Sequence, residues 1–208
     1  MTKSPFAGTI SATRGILKKR CREGRFAMDF SELLARRQSV RQYQSRPVQR
    51  ALLEKLVEAV RLAPSASNSQ PWKVVLVDEP TLKERVALAT YGPAISFNRF
   101  ASQAPVLAVF TVEKSGLLTQ VGAALKRRPY SLIDIGIAAA HFCLQAAELG
   151  LGTCMLGWFD ERRIQRLLGI PRRTRIGLVI TVGHAAEGYF LREKTRKPAG
   201  QMSSFNAY

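Results

Sequence analysis

Apolar residues along this chain alternate between two spacings, one of three to four residues and one nearly continuous. The alternation predicts helices interleaved with strands. Asp29 and Glu32 stand three apart as in a capping box, with Leu33 and Leu34 following, and predict a first helix over about residues 30–38. Pro47 suits the opening of a second helix, in which Val48, Leu52, Leu56, Val60 and Ala63 form the buried stripe and which Pro64 ends. "KVVLVDE" from Lys73 is short and β-branched, a strand. "TLKERVALATY" predicts a helix capped by Thr81, and "APVLAVFTVE" from Ala104 predicts a strand buried on both faces. Ser131 to Leu149 reads as the central helix, with Ile133, Ile137, Ala140, Leu144 and Ala147 on one stripe and small residues around Gly136 that permit close approach. "GLGTCMLGWF" from Gly150 is a glycine-punctuated strand or turn, Asp160 caps the helix that Pro171 closes, and "RIGLVITVG" from Arg175 is a further core strand. The segment 114–129 reads as loop or local helix. The whole predicts a layered α/β or α+β sandwich, without internal repeats.

The 208 residues suffice for one substantial core, with 46% hydrophobic and 23% charged residues as in ordinary globular enzymes. No run approaches 18 consecutive apolar residues, so no transmembrane segment is expected. Three scattered cysteines, Cys21, Cys143 and Cys154, suit a reducing, cytoplasmic setting, and with only His141 and His184 they offer no metal framework. The formal net charge is +17, which raises nucleic acid or an anionic membrane as partners. Seven basic residues against Glu23 alone give residues 1–27 a net +6, a polar basic extension without the apolar core of a secretory signal. No zinc-finger spacing, glycine-aromatic RNA motif or basic zipper accompanies the charge, so no specific nucleic acid is expected. After Gly183 the chain turns polar, either as a frayed tail or as an arm that crosses another subunit and returns Lys194 or Arg196 to a site.

The chain has neither a GxGxxG after a strand nor a GxxxxGK[ST] loop, and nothing around Ser39 or Ser65 resembles a nucleophile elbow. What stands out is a set of anion-ready and amide-rich pieces: Arg37, Ser39 and Arg41; the loop Pro64 to Trp72; the turn at Gly157; and Lys194 with Arg196. Arginines crowded on a helix end are often only a solvated surface. They are also forks that fit phosphate, while Asn68 offers an amide to a heterocyclic edge and a backbone N–H can meet a ring nitrogen. A planar cofactor bearing a phosphate satisfies all four pieces.

Four segments in order, "RRQSVRQY" with Pro47 and Val48, "APSASNSQPW", "DIGIAAAHFCLQAAELGLGTCMLGWF", and "LVITVGHA" with the distal "KTRKP", closely resemble the nitroreductase family of flavin mononucleotide (FMN) enzymes over about residues 28–200. The resemblance implies an α+β fold, a three-layer α/β/α sandwich around a mostly antiparallel mixed sheet, and a homodimer with two flavins at the subunit interface. It divides the chain into the extension 1–27, an FMN-binding domain 28–188 and a C-terminal arm 189–208 that contributes to dimer and flavin site. Arg37 and Ser39 match residues that hold the flavin phosphate, Arg41 one near the pyrimidine oxygen, with Gln38 adjacent. Asn68 matches the amide at the pyrimidine edge, and Ser65 and Ala66 the loop that packs on the cofactor from the partner subunit. Leu156, Gly157 and Trp158 match the turn whose backbone N–H faces flavin N5; Lys194 and Arg196 match the C-terminal basic residues at the pyrimidine and phosphate end.

The implied reaction is ping-pong hydride transfer from NADH or NADPH through flavin N5 to a nitroaromatic, a quinone or a related small-molecule acceptor. Basic groups near the pyrimidine raise the flavin potential, and no side-chain acid, base or metal takes part. The segment between Val112 and Tyr130 is shorter than the helical excursion of the larger members, which leaves the acceptor open. Other readings are a dehalogenase-like or flavin-cleaving relative with the same cofactor site, a non-catalytic flavin-binding protein and, least in accord with the motifs, a nucleic-acid-binding protein.

Overall fold

The computed structural model describes residues 29–93, 96–113 and 129–208. The basic extension and nearly all of the 114–129 segment lie outside these residues. Helices α1 (Phe30–Arg36), α2 (Arg50–Arg61), α3 (Pro80–Ala87), α4 (Tyr130–Glu148) and α5 (Glu161–Leu168) surround strands β1 (Trp72–Val77), β2 (Val106–Val112), β3 (Gly152–Leu156) and β4 (Arg175–Gly183). The sheet order is β1-β2-β4-β3, with every neighbouring pair antiparallel. A parallel bridge between Ser39 and Thr153 extends the sheet beyond β3 and makes it mixed.

The two central strands explain the layering. Val106, Ala108 and Phe110 of β2 point into one cluster with Leu53 and Leu56 of α2 and Ala138 and Phe142 of α4. Leu107 and Val109 point the opposite way, into a second cluster with Val86 of α3 and Ile164 of α5. Alternate side chains of a strand leave opposite faces, so a strand covered on both sides reads as one unbroken apolar run. Between Phe110 and Thr111 the register shifts past Gly177 in a bulge, and Ile176 therefore joins the α3–α5 side while Leu178 packs on the other.

Several local expectations need correction. Asp29 makes no side-chain cap, and Glu32 pairs instead with Arg36 at 3.4 Å, so the capping box is not formed. The first helix stops at Arg36, leaving Arg37 as its C-cap. The second helix opens after Gln49, three residues beyond Pro47. Thr81 is no cap: Glu79 accepts from the Thr81 and Leu82 amides at 2.8 and 2.6 Å, with Pro80 in the first turn where its missing N–H costs nothing. Asp160 does cap α5, accepting from the Arg163 amide at 2.9 Å, and left-handed Gly169 ends that helix before Pro171.

The buried stripe of α4 is rotated from the expected one. Ile135, Ala138, Ala139, Phe142, Cys143 and Ala146 meet the core, whereas Ile133 is 52% exposed and Ala140 is exposed. This helix is apolar on more than one side, and only one side meets the sheet of its own chain. It is also the one described helix long and apolar enough, by length and composition, to cross a membrane.

Candidate functional site

The stretch after α1 runs along the outer edge of β3. The Val40 amide donates to the Thr153 carbonyl at 2.9 Å, and the approach is close enough that a Cβ on Gly152 would sit 2.7 Å from the Val40 side chain. Tyr43 locks the end of the stretch: its buried phenol donates to the Val40 carbonyl at 2.8 Å and bonds Thr181 at 2.6 Å. Burial pushes this phenol far above its ordinary range, so it stays neutral.

The C-terminal arm returns to the same stretch of its own chain. Gln38 donates to the Phe190 carbonyl at 3.1 Å and accepts from the Arg192 amide at 3.2 Å. The Tyr189 hydroxyl donates to the Ser39 carbonyl at 3.3 Å and accepts from the Arg41 amide at 3.2 Å. Arg192 also donates to the Ser39 carbonyl, and Lys194 to the Ala35 carbonyl at the end of α1. Desolvation, followed by the charges of Arg37 and Arg196, holds the Lys194 ammonium below its ordinary range. Arg37, Arg41, Arg192, Lys194 and Arg196 thus converge, and none joins any of the five ion pairs among the described residues. Arg41 lies over the Phe100 ring at 5.9 Å, which fixes its direction through a cation–π contact.

The turn after β3 shares this edge. Backbone groups alternate along a strand between the two sides. The Thr153 carbonyl points outward to Val40, and Gly157 directly follows Leu156, the last residue of β3. Leu156 is buried, Trp158 is 55% exposed, and a Cβ on Gly157 would meet nothing within 4 Å. Neither a left-handed backbone nor packing within this chain requires glycine there.

The loop from Pro64 to Trp72 lies elsewhere. Ser67, Asn68 and Gln70 adopt positive φ of 52°, 53° and 44°, a conformation that costs non-glycine residues roughly 1–2 kcal/mol each. The Ala66 amide donates to the buried Asp134 carboxylate at 3.1 Å, the Gln70 amide donates to the Ser65 hydroxyl at 2.9 Å, and the Gln70 side chain donates to the Asn68 side chain at 3.1 Å. Asp134 is near the start of α4, and Cys143, within the electrostatic reach of Arg37, is nine residues further on. Nine residues make roughly 14 Å of helix. Within one chain, Ser65, Ala66 and Asn68 are therefore not gathered with the arginines. Two residues of the arm carry no signal in the sequence: Arg192, hidden in a hydrophilic tail, and Tyr189, whose one hydroxyl ties the arm to the 39–41 stretch.

The donor set fits a phosphate-bearing group: guanidinium forks in no ion pair among the described residues, with an exposed indole at Trp158. No group of three or more His, Cys, Asp or Glu among the described residues could hold a metal ion. Burial pushes the Cys143 thiol up to about 11 from 9.0 and raises Cys154 as well. At neutral pH Cys143 then holds about a hundredfold less thiolate than an ordinary cysteine. Iodoacetamide at pH 7.5, followed by peptide mapping, should leave Cys143 and Cys154 unlabelled in the native protein and label both in urea.

The model of the Nitroreductase family matches residues 34–184. An NADH dehydrogenase of Thermus thermophilus is 26% identical over 189 residues, 78% of this chain and 90% of that one. The 5,6-dimethylbenzimidazole synthase of Rhodobacter capsulatus is 30% identical over 161 residues, 68% of this chain and 76% of the synthase. A crystal structure of a nitroreductase family protein from Streptococcus pneumoniae superposes with a TM-score of 0.71 at 25% identity, covering 85% of this chain and 99% of that one.

Proposed function

Because the chain belongs to the nitroreductase family, we propose that it is an FMN-dependent oxidoreductase that takes hydride from NADH or NADPH and reduces a nitroaromatic, quinone or related acceptor. The observation that carries this reading is the convergence of five cationic side chains, Arg37, Arg41, Arg192, Lys194 and Arg196, none in an ion pair among the described residues. Bound FMN would supply the hydride chemistry itself. Arg37, Arg192 and Lys194 would hold its phosphate, with Ser39 and Gln38 keeping that edge and the arm in place. Arg41, steadied on Phe100, would lend positive charge to the pyrimidine end. Leu156, Gly157 and Trp158 would border the ring.

Ser65, Ala66 and Asn68 would come to this group from a second copy. The exposed apolar side of α4, with Leu132 55% and Ile133 52% exposed around Gly136, supports a homodimer contact. A mid-helix glycine costs about 0.5–1 kcal/mol against alanine, and this one has no neighbour within 4 Å in its own chain to require it.

Turnover with both nicotinamides and menadione or a nitroaromatic tests the reading. Any NADPH advantage should lie in kcat/KM and shrink between about 0.05 and 0.5 M salt, as the positive field around a +17 chain is screened. Protein beginning at Met28 separates the site's field from that of the extension. A kcat/KM for NADPH independent of both salt and truncation would remove electrostatic recruitment. Similarity to the dimethylbenzimidazole synthase favours a second reading, cleavage of the flavin itself. Irreversible loss of free FMN in air with NADH would support it; full recovery of the oxidised spectrum supports the reductase.

A further inference from the structure

Asn98 stands where an asparagine usually caps a helix, before the short 3-10 turn Arg99–Gln103, yet it makes no side-chain cap. Its side chain is 4% exposed and spends its amide elsewhere: Nδ2 donates to the Thr90 carbonyl at 3.1 Å and to the Trp158 carbonyl at 3.2 Å. One buried amide thus joins the chain after α3 to the turn after β3. That turn is held again two residues later, where the Asp160 amide donates to the Ala89 carbonyl at 2.7 Å. The Asp160 carboxylate then caps α5, and Arg163 of α5 donates to the Leu88 carbonyl at 3.3 Å. At Gly157, between these anchors, an added Cβ would find open space. The anchors flank it: Leu156 in the sheet on one side, Trp158 and Asp160 tied to the 88–90 segment on the other.

We propose that Asn98 is a positioning residue that fixes the Gly157 backbone N–H toward the reactive edge of the cofactor. The assignment rests on the FMN reading above. An N–H donor aids charge development only when it is already aimed, and a free glycine turn wanders among many backbone states. Fastening the carbonyl of the next residue removes that freedom without placing a side chain in the site. Asn98 lies outside the sequence motifs of the site, and its side-chain amide donates to two backbone carbonyls, those of Thr90 and Trp158, so its role is measured apart from cofactor affinity, which the arginines would supply.

The test compares wild type with Asn98→Asp, nearly equal in shape but without the amide donor, and with Asn98→Ala, each as full-length protein. Amide exchange without flavin should show the Asp160 N–H exchanging at least about tenfold faster in both variants, with amides of β2 unchanged. With FMN, Kd should stay within about threefold of wild type, while the visible band of bound flavin shifts. The rate of flavin reduction at saturating NADH should fall about tenfold with KM within about twofold. Unchanged exchange at Asp160, or a lowered melting temperature with an unaltered flavin spectrum and reduction rate, overturns the proposal; so does failure of both variants to fold. If wild type binds no FMN, the functional reading fails at that step, and the exchange data still report whether Asn98 holds the turn.

Discussion

Replacing Arg37 by alanine should weaken FMN binding about thirtyfold, since a charge-assisted hydrogen bond to phosphate is worth about 2 kcal/mol. Arg37 follows the end of α1 directly, and Lys194, which its charge perturbs, is donated to the last turn of the same helix. The cluster of like charges forms no ion pair among the described residues, so an anion gains from its members. Arg41→Ala should cost less affinity and should lower the midpoint potential of bound flavin, since its guanidinium rests on Phe100 and, in the proposed site, would face the pyrimidine end. Fluorescence titration of FMN and a dye-equilibrium potential measure the two effects. Unchanged affinity in both variants would return these arginines to ordinary surface residues.

The second large effect concerns assembly. The protein should sediment as a dimer at low micromolar concentration, and Ile133→Asp should yield a folded monomer whose FMN affinity is lower by about a hundredfold, or ~2.7 kcal/mol. Ile133 is exposed in its own chain, so a carboxylate there costs the monomer little. In the dimer it would be buried without a partner, which is costly. Loss of flavin on dissociation follows from the geometry: Ser65, Ala66 and Asn68 are anchored at the Asp134 end of α4, away from the arginines. A wild-type protein that sediments as a flavin-loaded monomer would contradict this account, and the loop residues would leave the site.

The strands were legible because burial on both faces leaves an unbroken apolar run, as in Val106–Val112. The bulge at Gly177 was not, since a single glycine in a strand does not state which side of the ladder it drops. The phase of α4 was misjudged for a physical reason. Ile133 and Ile137 carry as strong a helical period as Ile135 and Phe142, and period alone does not say which side meets the chain's own sheet. The Thr81 cap failed because Pro80 fits the first turn and moves the cap to Glu79. At the candidate site, the crowding of arginines and the exposed turn at Gly157 stand out by residue type. The ties that hold the arm and the turn do not, for Tyr189, Arg192 and Asn98 bond largely to backbone groups, which carry no sequence signal. The left-handed backbone of Ser67, Asn68 and Gln70 was equally hidden, as none of them is glycine.

The most direct measurement is the visible spectrum of the full-length protein incubated with FMN and freed of excess, before and after anaerobic NADH and then NADPH. An oxidised-flavin spectrum at close to one FMN per chain is expected, bleached by at least one nicotinamide and restored by menadione or a nitroaromatic. A protein that retains no flavin, or one whose bound flavin neither nicotinamide bleaches, would contradict the proposed function.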